Sequence, residues 1–190
     1  MPDPHAPELT GEELYRRLLE GDRDVLVELI ELYRAGLMLF LLGIVKDPHD
    51  AEELVIDTFV ALVKNPARFH GESPLKTYLF GIGRNLARRR LKTRKQDVSL
   101  EEIRELAGEN AELETVYRRM ESKRRLYDAM RGLKGGQRAV LYLLYFENMS
   151  YADIGMILGK TQTQIASIAY RARQALKSRL ESEGLTCEDF

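Results

Sequence analysis

One short pattern restricts this chain more than any other: Ser150-x-x-Asp153, then Gly159, then Thr161-x-x-Gln164. A Ser or Thr followed three residues later by a carboxyl or amide side chain is a capping box, in which each side chain satisfies a backbone amide of the other residue at a helix start. Glycine suits the left-handed conformation that closes a helix. Two helix starts so close together leave room for one short helix and a tight turn, and for no strand. The rest of the chain agrees. No segment alternates with period two, no Asn-Gly or Asp-Gly hairpin turn occurs, and helix formers dominate, so the expected fold class is all-α.

The remaining punctuation divides the chain into two small helical domains. Thr10 with Glu13 opens a short helix to about Glu20, Gly21-Asp22 breaks it, and a long helix runs from Asp24 to Lys46. Asp47-Pro48 ends that helix, Asp50 caps the next, and Asn65-Pro66 stops it. Ser73 at the N-cap and Pro74 at the first helical position start a fourth. From Asp97 to Thr115 there are seven acidic residues and one basic one, an acidic linker. A second body begins near Val116 with a helix to Leu133. After "KGG" follow three more helices, "QRAVLYLLYF", "YADIGMILG" and "QTQIASIAYRARQALKSRL". The expected domains are residues 10–95 and 116–182, joined by a linker at 96–115 and followed by a tail at 183–190.

Composition excludes several classes of function. The single cysteine, Cys187, allows no internal disulfide and fits a reducing cytoplasm. The N-terminal "MPDPHAPELTGEEL" lacks the basic and apolar regions of a signal peptide. The most apolar run, "GLMLFLLGIV", falls well short of the roughly 20 residues of a membrane span and reads as a buried helix. A soluble cytoplasmic protein is expected. His5, His49 and His70 are scattered, and neither a Gly-rich phosphate loop nor a Cys/His cluster with metal-ligand spacing occurs. No catalytic activity, cofactor, metal or small-molecule substrate is expected.

Charge is balanced overall, at net −1, but concentrated locally. Arg84 to Lys95 carry seven positive charges and no negative one, shortly after Lys76, Tyr78 and Phe80. Aromatic faces beside cations suit single-stranded DNA, where stacking contributes about 1–3 kcal/mol per base. Taken singly, Tyr78 and Phe80 read as core, like Leu75, Leu79, Ile82 and Leu86 at the 3.6-residue period. In the last helix Ile165, Ala169, Ala172, Leu176 and Leu180 share one face. Two helices joined by a tight Gly-containing turn describe a helix-turn-helix, whose second helix enters the major groove of DNA. On its outer face Gln162, Gln164 and Ser167 can bond base edges, and Lys160, Arg171, Arg173, Lys177 and Arg179 suit phosphates. The plain alternative is a solvated helix face.

Two blocks carry a family resemblance. "DAEELVIDTFVALVKNPARFHGESPLKTYLFGIGRNLARRRL" closely resembles region 2 of extracytoplasmic-function (ECF) sigma factors, and "LKGGQRAVLYLLYFENMSYADIGMILGKTQTQIASIAYRARQAL" resembles their region 4. The resemblance implies a bacterial transcription initiation factor, without catalysis of its own, that binds core RNA polymerase at the β′ clamp helices and the β flap. It would read the −10 and −35 elements of promoter DNA and help to open the duplex. Position by position, it implies polymerase binding by Asp50, Glu52, Glu53, Leu54, Asp57 and Phe59, although the acids also suit the helix N-terminal dipole. Phe69, Gly71, Glu72 and Ser73 match the loop that cups a flipped −10 base. Asn85 matches the asparagine that helps to read that element, with Arg84, Arg88 and Arg89 on the backbone and Lys76 and Tyr78 beside them. Lys160, Gln162, Thr163, Gln164, Ser167, Tyr170, Arg171 and Arg173 fall in the −35 reader. The resemblance further implies an anti-sigma factor, often membrane-anchored, that would sequester the chain at the inner membrane.

The chain departs from that family in places. Ala166 and Ile168 stand where a Lys and an Arg are usual, which predicts weaker or altered −35 contact. Ile56, Leu75 and Tyr78 replace a common Gln, Phe and Trp. The acidic linker either mimics nucleic acid in a basic polymerase channel or is merely solvated. Two rival readings remain: a helix-turn-helix regulator that never joins polymerase, and a sigma-like regulator that has lost promoter contact.

Overall fold

A computed structural model describes residues 9–97 and 129–182. Among the described residues there are seven helices and no strand: α1 (Gly11–Leu19), α2 (Val25–Val45), α3 (Pro48–Lys64), α4 (Leu75–Asp97), α5 (Gly135–Tyr145), α6 (Tyr151–Leu158) and α7 (Gln162–Ser182), with a 3-10 turn at Pro66–Arg68. Nearly all of the expected linker, most of the helix expected from Val116 to Leu133, and the tail with Cys187 lie outside the described residues.

The capping boxes of α1 and α6 form as the sequence predicts. Thr10 and Glu13 satisfy each other's amides before α1, and Ser150 and Asp153 do so before α6. Gly159 closes α6 at φ 62°, and Thr161 with Gln164 opens α7, the side chain of each accepting from the amide of the other.

Three helix starts differ from expectation. Asp47, not Asp50, caps α3: its carboxylate accepts from the Asp50 amide at 2.9 Å, while Pro48 occupies the first turn, where its missing N–H costs nothing. Ser73 does not cap α4. Its hydroxyl lies 3.4 Å from the Pro74 carbonyl, and the Leu75 amide donates instead to Glu12 Oε1 of α1, at 3.0 Å. Helix α5 begins at Gly135, two residues early, because the Gln137 and Arg138 amides both reach the Lys134 carbonyl.

Helix α2 shows how the fold is assembled. Leu37, Met38, Leu39, Phe40 and Leu41 are all buried, so this stretch of the helix is covered on every side. On one side lie α1, α3 and α4; on the other lies α5 of the second body. Phe40 packs 5.2 Å from Phe80 of α4 and 6.3 Å from Tyr142 of α5, ring centre to ring centre. The two bodies separated in sequence therefore share one continuous hydrophobic core. Arg138 ties its edge, donating to the Gly43 carbonyl near the C-terminus of α2, where cations are favoured.

Candidate nucleic-acid interface

Three surfaces carry the predicted residues. The first lies between α2 and α3. Of the predicted polymerase-binding set, Asp50, Leu54 and Phe59 are buried, Glu52 is half-buried, and Glu53 and Asp57 are exposed. Asp50 pairs with Arg90 at 2.9 Å and with Arg94, and Glu53 pairs with Arg90 at 2.8 Å, so these acids brace α3 against α4. Glu52 bonds Arg34 across the mouth of the groove at 3.3 Å. The Arg90 hydrogen bond is the main reason that the Glu53 carboxyl titrates below its ordinary range. Beside the acids runs a groove of about 1000 Å³ lined by Leu26, Ile30, Val55, Ile56, Val60 and Val63 among others. The last two and Ile56, 59% exposed, form an apolar stripe that the motif-by-motif reading passed over. Its signal was present: positions 56, 60 and 63 follow helical spacing on the face opposite the buried Ala51, Leu54, Thr58 and Leu62.

The second surface is the loop 69–73 with α4. Phe69 is half-buried, its ring 5.4 Å from Tyr15 and 5.2 Å from Tyr78. The three rings form a platform whose Tyr78 edge is half-buried. Burial, and then Tyr78, push the Tyr15 phenol above its ordinary range. Gly71 takes φ 73°, a conformation open to glycine, and Glu72 is exposed beside it. Phe80 is fully buried, so of the two aromatic residues weighed for stacking it belongs to the core. Asn85, Arg88 and Arg89 are exposed on α4. Lys76 and Arg84 are not free: Lys76 pairs with Glu147, and Arg84 donates to the Leu158 carbonyl at 3.0 Å.

The third surface is α7. Gln162, Thr163, Ser167, Tyr170 and Arg171 are all exposed along its N-terminal half, as are Gln164 and, in the turn before it, Lys160. Gln164 spends its carbonyl on the Thr161 amide and keeps its NH2 group for another acceptor. Arg173 points elsewhere: it donates to the Tyr145 hydroxyl at 2.7 Å and the Tyr151 hydroxyl at 3.3 Å, and its guanidinium lies 5.8 Å from the Tyr145 ring centre. Those bonds raise its pKa, and they make it a brace between α7 and α5. Ile168 packs against the core, which gives an apolar residue there a physical reason.

Comparison with known proteins separates the sigma-factor reading from that of a stand-alone helix-turn-helix regulator. Residues 29–96 match the family model for Sigma-70 region 2, and residues 123–176 match that for Sigma-70 region 4. The chain belongs to the sigma-70 family. Among its relatives are the RNA polymerase sigma-H factor of Pseudomonas aeruginosa, 25% identical over 90% of this chain and 93% of its own, and the ECF sigma factor SigM of Bacillus subtilis, 28% identical over 80% and 92%. These relatives place it in the ECF branch, among transcription initiation factors. The fold is also that of CnrH, solved with the cytosolic domain of CnrY, at TM-score 0.62 and 23% identity over 89% of this chain and 96% of that one. RpoE of Bartonella quintana, solved with the anti-sigma factor NepR, matches at TM-score 0.60 and 24% identity over 80% and 94%. Among the described residues of this sigma factor, no helix is long and apolar enough to cross a membrane, and no cluster of His, Cys, Asp and Glu could hold a metal.

Proposed function

We propose that this sigma factor joins core RNA polymerase through the α2–α3 groove, captures the unpaired −10 strand on α4 and the 69–73 loop, and reads the −35 duplex with α7. It catalyses no reaction itself and works in the cytoplasm. The observation that carries this reading is the presence of two nucleic-acid faces of different chemistry on one chain. One is a ring platform beside exposed Asn85, Arg88 and Arg89, suited to stacked bases and their backbone. The other is the exposed polar N-terminal half of a helix-turn-helix second helix, suited to a major groove. The apolar stripe of Ile56, Val60 and Val63, rimmed by Glu53 and Asp57, fits an amphipathic helical partner carrying cations, as a polymerase clamp would. An anti-sigma partner is part of this reading, since the solved relatives CnrH and RpoE were captured with CnrY and NepR.

The test is reconstitution with bacterial core polymerase on a promoter library, scored by transcript start sites and permanganate reactivity of unpaired thymines. Start sites and opening that depend on the added chain support the proposal. A chain that binds core enzyme yet leaves every promoter closed would be a sigma-like regulator instead.

A further inference from the structure

Between Pro66 and Leu75 runs the loop assigned to base capture, and little in the loop itself holds its shape. His70, Gly71 and Glu72 are exposed, and Ser73 is half-buried. A stretch with so little burial has no packing to select one shape, so its ends must be fixed from outside. Both ends are fixed by α1. At the near end the Tyr15 hydroxyl donates to the Pro66 carbonyl at 3.2 Å, the same oxygen that accepts from the Phe69 amide in the 3-10 turn. The Tyr15 ring meets the Phe69 ring edge-on, at 82°. At the far end Glu12 Oε1 accepts from the Leu75 amide at 3.0 Å. Leu75 is the first residue of α4, and its amide has no acceptor within that helix. A carboxylate there also suits the positive end of the helix dipole.

Helix α1 can act as a fixed post because it is itself seated in the core. Leu14 and Tyr15 are buried, and Leu18 packs behind them. The capping box of Thr10 and Glu13 sets its first turn. Gly11 lies so close to α2 that a Cβ on it would overlap the hydroxyl of the buried Tyr33. Positions 12 and 15 stand one turn apart on the same side of the helix, so one face of α1 reaches both ends of the loop. The helix lies ahead of residue 29, where the match to Sigma-70 region 2 begins.

We infer that α1 positions the base-capturing loop: Glu12 and Tyr15 set its two ends, so that Phe69 and the turn at Gly71 stand in place before a base arrives. This rests on the reading of the 69–73 loop as the cup for a flipped −10 base. A loop ordered in advance loses less conformational entropy on binding, and more of the stacking energy is left to hold the base. Glu12 and Tyr15 act through the loop and need not touch DNA; they are positioning residues.

The test uses the full chain with core polymerase on a promoter obtained from the library reconstitution, made as a fork whose −10 strand is unpaired. Each −10 base in turn is replaced by an abasic site, and affinity is read by fluorescence anisotropy. Wild type should prefer the intact strand at one position by about tenfold or more. In Glu12→Ala, and in Tyr15→Phe, which keeps the ring but loses the Pro66 bond, that preference should fall to about threefold or less. Glu12→Gln keeps an oxygen for the Leu75 amide and should retain the wild-type preference. Affinity for the abasic strand, which reports contacts outside the cup, should stay within about twofold of wild type in all three. Circular dichroism checks that each variant keeps wild-type helix content. Wild-type preference in folded Glu12→Ala and Tyr15→Phe overturns the inference, as does an equal loss in Glu12→Gln and Glu12→Ala. Phe69→Ala separates the two ideas: if it abolishes a preference that the α1 variants keep, the cup stands and the positioning role falls. If wild type prefers the intact strand at no position, the cup falls, and the positioning role with it.

Discussion

Helices α4 and α7 are both basic, and both face DNA in the proposed function, yet they stand differently in the folded protein. On α4, Lys76, Arg84, Arg90 and Arg94 are engaged by oxygens of this chain. On α7 the N-terminal half is exposed, and of its cations Arg173 is the one held by tyrosines. In the proposed function the two helices meet different targets. A duplex presents a rigid groove, and a reader of it can stand open. An unpaired strand is flexible and chemically common, and a surface that grips it through aromatic rings and cations would bind any single strand it met.

The comparison breaks if the two bodies are independent. Phe40 touches Phe80 on one side and Tyr142 on the other. Phe40→Ala should cost about 3–5 kcal/mol and should lower the stability of both bodies in one urea transition. The checks are tyrosine fluorescence and helix content followed together; two separated transitions would show that the shared core is not cooperative.

Next in size is base recognition. In reconstituted transcription, Asn85→Ala should relax preference at one −10 position by about 1–3 kcal/mol, and Gln162→Ala should do the same at one −35 position without affecting strand opening. Sequence-profiled start sites measure both, and unchanged selectivity removes the residue concerned from the reading set. A smaller effect separates the cation that braces two helices from one bonded only within its own helix. Arg90→Ala leaves the buried Asp50 and the Glu53 carboxylate short of a partner and should cost about 1–2 kcal/mol of stability. Arg171→Ala, on an exposed surface, should change stability by no more than about 0.5 kcal/mol. Urea midpoints decide it, and equal losses would mean that Arg90 is no more structural than Arg171.

Local features were the legible ones. Capping boxes at Thr10, Ser150 and Thr161, the left-handed Gly159 and the core face of α7 all follow from residues within a few positions of one another. Starts that depend on a distant partner were not legible: the Leu75 amide is satisfied by Glu12, which lies 63 positions away. The acids of "DAEELVIDTF" look alike in sequence, but only the fold separates buried Asp50 from exposed Asp57, because helical phase against α4 decides it. The covering of α4 by α6 was beyond reach for the same reason. Lys76 and Glu147 carry no sequence mark of pairing across 71 positions.

The smallest expected effect concerns pH, and it bears on the same two helices. The stretch Gln162 to Leu180 of α7 contains no acid, so its own charge does not change in mild acid. The α3–α4 brace does titrate. Arg90's hydrogen bond, and then its charge, hold the Glu53 carboxyl below its ordinary value of 4.5. A carboxyl whose folded pKa is depressed contributes stability that is fully present above the unfolded value and lost as pH falls through the folded one. Wild type should therefore exceed Glu53→Gln in urea midpoint at about pH 6, and the gap should close as the pH drops below about 4. Arg171→Ala offers the control, since its difference from wild type should stay flat over that range. A Glu53 gap that also stays flat would mean that the exposed arm of the brace contributes nothing, and that Arg90 holds α4 in place through Asp50 alone.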